Sequence, residues 1–194
     1  MKLKNLQTKF LGRKVFYYKI IDSTQKEIWR RIDNDNIENG TLIYTDIQTS
    51  GIGTHGRKWY TDEEDNIAFS FFINMNCDVG KVEGITIEIA EIIKDILERK
   101  YNINVQIKAP NDIYYYGRKL GGILTQTKVL SNKIKYLVVG IGINTNKQYF
   151  NEEIKNIATS IKKEFCININ KEEFITDFCN DFEKKIMEIG EKVK

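Results

Sequence analysis

Isoleucines stand at Ile85, Ile89, Ile92, Ile93 and Ile96. This i, i+4, i+7, i+8, i+11 spacing places all five on one face of a helix over 81–100. Such a face must be buried against another element. The segments around it read as strands: 41–47 (TLIYTDI), 66–73 (NIAFSFFI), 104–108 (NVQIK), 112–116 (DIYYY), 120–128 (LGGILTQTK) and 135–146 (KYLVVGIGINTN). An earlier helix, capped by Asp22 or Ser23, runs through Ile28 to about Ile32. Two helices close the chain, the last with Asn170 as cap, Glu173 three residues on, and Phe174, Phe178, Phe182 and Ile186 at intervals of four. Hairpin strands with a long helix inserted among them predict an α+β fold, a mixed β-sheet backed by helices, rather than regular βαβ alternation. With 194 residues, one proline and no Pro/Gly/Ser linker, a single domain over 1–194 is expected.

The stretch GIGTHGRKW (51–59) fits G-x-G-x-x-G. A dinucleotide fingerprint needs a helix directly after the glycines. Here the charged, turn-rich RKWYTDEEDN follows, so a dinucleotide fold is excluded. Two readings of the loop stay open. It is a glycine-rich hairpin with solvated cations and a core tryptophan, or a cradle in which backbone N–H groups, Arg57 and Lys58 face phosphate oxygens and Trp59 stacks on a base. A ligand loop of this kind is expected to be mobile when empty.

In 108–123 (KAPNDIYYYGRKLGGI), Pro110 biases Ala109 toward an extended conformation. Asn111 and Asp112 supply an amide and a carboxylate suited to a ribose, a phosphate or Mg2+. A turn at Gly117 brings back Arg118 and Lys119, and Gly121 and Gly122 keep the space beside that lysine bare. The plain alternative is a solvated hairpin lysine and a bulge. In 138–146 (VVGIGINTN), Asn144 either ends the strand or reaches a polar ligand group across Gly140 and Gly142.

Asp22-Ser23-Thr24, QTSGIGTHGRKW (48–59), KAPND with GRKLGGIL (108–124) and GIGIN (140–144) together resemble the motifs of biotin protein ligases, in order and spacing, across residues 20–190. The resemblance implies the catalytic-domain fold shared with lipoate ligases. It implies two steps: biotin and Mg·ATP give biotinyl-5′-AMP, and a lysine of a biotin carboxyl carrier protein then takes the biotinyl group. Carried over by matching positions, Lys119 is the catalytic ammonium, with Arg57 beside it. Ser23, Thr24, Gln48, Gly51, Lys119 and Gly122 hold biotin. Gly53, Thr54, Arg57, Trp59, Asn111, Asp112 and Asn144 hold the nucleotide, and Asp112 also holds Mg2+.

The sequence departs from the family at several points. Ile52 and Thr54 replace two loop arginines, and Ala109 stands where tryptophan is usual. His55, the sole histidine, is read as a solvent-facing side chain. No N-terminal DNA-binding domain is expected, and the C-terminal β-barrel of relatives is expected to be absent or truncated. Rival readings are a lipoate or octanoate ligase on this fold, counted against by the absence of R-R-x-G-G-G, and a non-catalytic biotin or nucleotide sensor. A net charge of +3 without a basic stripe argues against nucleic acid. No apolar run approaches ~18 residues, and the N-terminus has no apolar leader core. The three cysteines form no metal or disulfide pattern. A cytoplasmic protein, monomer or homodimer, is expected.

Overall fold

The computed structural model describes residues 3–61 and 66–191. Residues 62–65 of the charged connection lie outside them. Seven strands form one mixed sheet: β1 (Val15–Ile21), β2 (Leu42–Gln48), β3 (Ile67–Asp78), β4 (Gln106–Lys108), β5 (Asp112–Tyr115), β6 (Arg118–Leu130) and β7 (Lys133–Ile143). Their spatial order is β1-β2-β3-β7-β6-β5-β4. Among the described strands, β1 and β2 are the one pair that runs parallel. They are joined by the crossover helix α1 (Thr24–Asp33). The expected α+β class with a mixed sheet is therefore found. β1 has no counterpart in the sequence reading, although its VFYYKII run is rich in aromatic and β-branched residues.

Helix α2 spans Ile85–Tyr101, not 81–100. Gly84, with φ of 79°, breaks the helix there, and a 3-10 turn occupies Val79–Val82. The isoleucine face behaves as expected: Ile85, Ile89, Ile93 and Ile96 are buried, and Ile92 is partly so. After the short α3 (Ile161–Phe165) comes α4 (Lys171–Glu191). Glu173 N–H donates to Asn170 Oδ1 at 2.9 Å, the expected cap. The Glu173 carboxylate does not return to Asn170 but pairs with Lys100 at 2.7 Å. Phe178 and Phe182 of α4 stack on each other and pack edge-on or tilted against Phe69 and Phe71 of β3, with centroids 5.2–5.8 Å apart.

Alternation along β7 divides the two faces. Val139, Ile141 and Ile143 point to the large core under α2 and α4. Val138 points to the smaller core under α1, with Ile28, Ile32, Ile43 and Phe72. Gly140 and Gly142 share the face of Val138. The sheet is therefore bare beyond the first turn of α1, and the cavity lies there. No described helix is long and apolar enough to cross a membrane.

Candidate active site

A cavity of about 280 Å³ sits on this glycine floor, near the small end for ligand sites. Two groups of side chains line it. The first surrounds the N-terminus of α1. Ser23 is the N-cap, and its Oγ accepts weakly from Lys26 N–H at 3.4 Å. Thr24 Oγ1 lies 2.8 Å from Ser70 Oγ, and Gln48 Oε1 accepts from Thr24 N–H at 2.9 Å. Gln48 Nε2 donates to Thr61 Oγ1 at 3.2 Å, tying this group to the end of the glycine loop. Asp22 does not cap the helix. It accepts two bonds from the Arg30 guanidinium at 2.8 and 2.9 Å, which outweigh its burial and hold its carboxyl down to about 2.

The second group centres on Lys119. Its Nζ is 2.6 Å from Asp112 Oδ1, which also accepts from Asn111 Nδ2 at 3.2 Å. The β5–β6 turn that places it contains only Tyr116 and Gly117, with φ of 42° and 77°. Both values are positive, as a type I′ hairpin requires. A Cβ on Gly122 would lie 3.3 Å from Lys119 Nζ, so the bare strand does leave room for the ammonium. The Ala109–Pro110 peptide is cis and turns the chain between β4 and Asn111.

Trp59 lies between the groups. A Cβ on Gly142 would fall 2.3–2.5 Å from its indole, so only glycine admits the ring, and Lys119 Nζ sits 5.8 Å from the ring centroid. The indole N–H is buried and has no partner, leaving one donor uncompensated at the cavity. The loop before it is internally folded: Gly53 N–H donates to Arg57 C=O at 2.7 Å and Trp59 N–H to Gly51 C=O at 2.9 Å.

Most expected site residues converge on this cavity: Ser23, Thr24, Gln48, Gly53, Thr54, Arg57, Trp59, Asn111, Asp112, Lys119, Gly122 and Asn144 all line it. Gly51 does not. It is needed because a Cβ would meet the Trp59 carbonyl at 2.3 Å, so its bareness lets the loop close. Arg57 is exposed and its guanidinium donates to Thr54 Oγ1 at 2.9 Å. Asn144 is buried, and its Nδ2 donates to Thr159 C=O at 3.0 Å. His55 is exposed, as expected, with φ of 56°.

Among the described residues no group of three His, Cys, Asp or Glu side chains can hold a metal. Asp112 is one carboxylate with Oδ1 already bonded, which suits a hydrated ion arriving on phosphates rather than a protein cage. The lining residues without a counterpart in the sequence reading include Ser70, which packing of α1 on β3 brings beside Thr24, and Gln25. Gln25 Nε2 donates to Gln126 Oε1 at 3.0 Å, and that oxygen also accepts from Trp29 Nε1–H at 2.7 Å.

This fold is that of the biotin protein ligase catalytic domain. The biotin protein ligase of Aquifex aeolicus, solved in complex with biotin and ATP, is 30% identical, with a TM-score of 0.72 over 94% of this chain and 72% of that one. The chain belongs to the biotin/lipoate A/B protein ligase family, which it matches over residues 17–144. The bifunctional ligase/repressor BirA of Bacillus subtilis is 32% identical over 93% of this chain and 56% of its own length. Biotin–protein ligase 2 of Arabidopsis thaliana is 28% identical over 93% and 55%. The chain thus spans about half the length of the curated relatives it matches.

Proposed function

We propose that this chain joins biotin to ATP, forming biotinyl-5′-AMP and pyrophosphate, and passes the biotinyl group to a lysine of a carboxyl carrier protein. The observation that carries this is Lys119, held by Asp112 beside bare backbone, in the same cavity as a polar group around Thr24. Gly140 and Gly142 are two residues apart on β7, about 7 Å along the strand. A cyclic urea seated at Thr24, Gln48 and Ser70 would send its acid chain along the Trp59 indole that covers Gly142, toward the ammonium.

The chemistry follows from charge. A carboxylate and a phosphate repel, and a cation between them lowers that cost. Negative charge then grows on the phosphoryl oxygens as the carboxylate attacks, and a fixed ammonium stabilises it more than it does the ground state. Arg57 and Lys58 stand at the mouth to meet the phosphates, with Asn111 and Asp112 on the other side. Mg2+, when bound with ATP, neutralises charge on the phosphates, and Asp112 is the carboxylate placed to meet it. In the second step the acceptor amine attacks the acyl carbon and AMP leaves.

The family includes lipoate enzymes, which favours a lipoate-type ligase as the second reading. Thermal shift with biotin against lipoate, each with Mg·ATP, separates them. Transfer of labelled biotin to a carrier domain by the native chain but not by Lys119→Ala supports the proposal. Biotin-independent behaviour overturns it.

A further inference from the structure

We propose that Glu164 is a positioning residue for Lys119, acting through a clamp on the β5–β6 hairpin. This rests on the ligase reading above for its kinetic consequence, but not for its geometry. The main chain of Lys119 is bonded on both sides by a strap at residues 157–159. Its N–H donates to Ile157 C=O at 2.8 Å, and its C=O accepts from Thr159 N–H at 2.9 Å. The strap runs parallel to the start of β6, with Ala158 opposite Lys119.

The strap is buried along the hairpin edge, with Ala158 6% and Thr159 0% exposed, and side chains as well as main chain hold it to the hairpin. Glu164 does so from both sides. Its Oε1 accepts from Thr159 Oγ1–H of the strap and pairs with Arg118 Nη2 at 2.8 Å, the residue before Lys119. The carboxylate is shielded, with its side chain 14% exposed. The next residue, Phe165, packs on Tyr115 of β5 with centroids 4.7 Å apart. Helix α3 therefore grips both strands of the hairpin within a few residues of Lys119. Arg118, present in the hairpin motif, has its role here rather than at the ligand.

An ammonium stabilises a transition state only if it is held in place, and an ångström of misplacement can cost about a hundredfold. Loss of the clamp is therefore read in turnover, not in biotin affinity, whose contacts lie around Thr24. The experiment measures biotin-dependent pyrophosphate release and amide hydrogen exchange at Lys119 and Thr159. It compares the native chain with Glu164→Ala, Glu164→Gln, Arg118→Met and, as control, the partly exposed Lys162→Ala, whose ammonium bonds Asn168 instead. Glu164→Ala should lower kcat about tenfold with the biotin KM within about twofold, and both amides should exchange faster. Glu164→Gln should recover most of the rate, since its amide oxygen can accept from both partners. If Glu164→Ala does not fold, Arg118→Met carries the same test. Unchanged kcat with unchanged exchange overturns the proposal, as does an equal loss in Lys162→Ala. If the native chain releases no pyrophosphate, the ligase reading fails, and faster or unchanged exchange still decides for or against the clamp.

Discussion

Lys119 Nζ meets Asp112 Oδ1 at 2.6 Å diagonally across the β5–β6 hairpin, where Asp112 pairs with Gly122 and Lys119 with Tyr114, although the two are seven positions apart in sequence. The short turn is what makes this pairing possible. Tyr116 and Gly117 reverse the chain at once, so strand register sets the ion pair.

Lys119→Ala should therefore cost about 10²–10³ in the adenylation rate, the size expected for one preorganised charge. Pyrophosphate release in single-turnover conditions checks it. Because the side chain is partly exposed, the melting temperature should hardly move. A rate within a few-fold of native would remove Lys119 from the chemistry.

Gly142→Ala should displace the Trp59 ring, since the added Cβ falls 2.3–2.5 Å from it. The expected loss is about 1–3 kcal/mol of stability from overpacking, together with weakened biotin binding. Gly53→Ala meets nothing nearer than a carbonyl at 3.4 Å. Its stability should change by no more than about 0.5 kcal/mol. Denaturant melts of the two variants, side by side, are the measurement.

The glycine loop carries Ile52 and Thr54 between its glycines, leaving Arg57 and Lys58 as its cations. It should release the acyl-adenylate quickly and acylate stray lysines. Thr54→Arg should slow release by roughly tenfold, as one charge-assisted hydrogen bond would. Rapid filtration after a labelled-biotin chase reads the off-rate. Amide exchange at 51–59 should slow when biotin and Mg·ATP are added, and a loop equally protected without ligand would refute the expected mobility.

Asp22 tests the corner between β1 and α1 by pH. Arg30 lowers its folded-state pKa to about 2. A depressed carboxylate contributes stability above its unfolded pKa of ~3.9 and loses it as pH falls toward the folded value. The stability gap between native chain and Asp22→Asn should be full at pH 5 and shrink steadily toward pH 2. It should stay small at its largest, because the pair is partly solvated. A gap independent of pH would show that Arg30 does not govern this carboxyl.

Local pattern sufficed wherever a residue's role depends on near neighbours. The isoleucine face of α2, the Asn170 cap, the hairpin turn at Gly117 and the glycines beside Lys119 all follow from spacing and backbone freedom, and so were legible in the sequence. Tertiary structure alone decided what distant strands bring together. Gly142 faces Trp59, Ser70 meets Thr24, and Glu164 reaches round to Arg118, each contact joining segments more than 40 residues apart. Gly51 shows the limit most plainly: its motif pointed to a ligand, yet a crossing carbonyl is what excludes a side chain there. The physical reason is that periodicity specifies which face a residue takes, whereas strand order and register specify what that face meets.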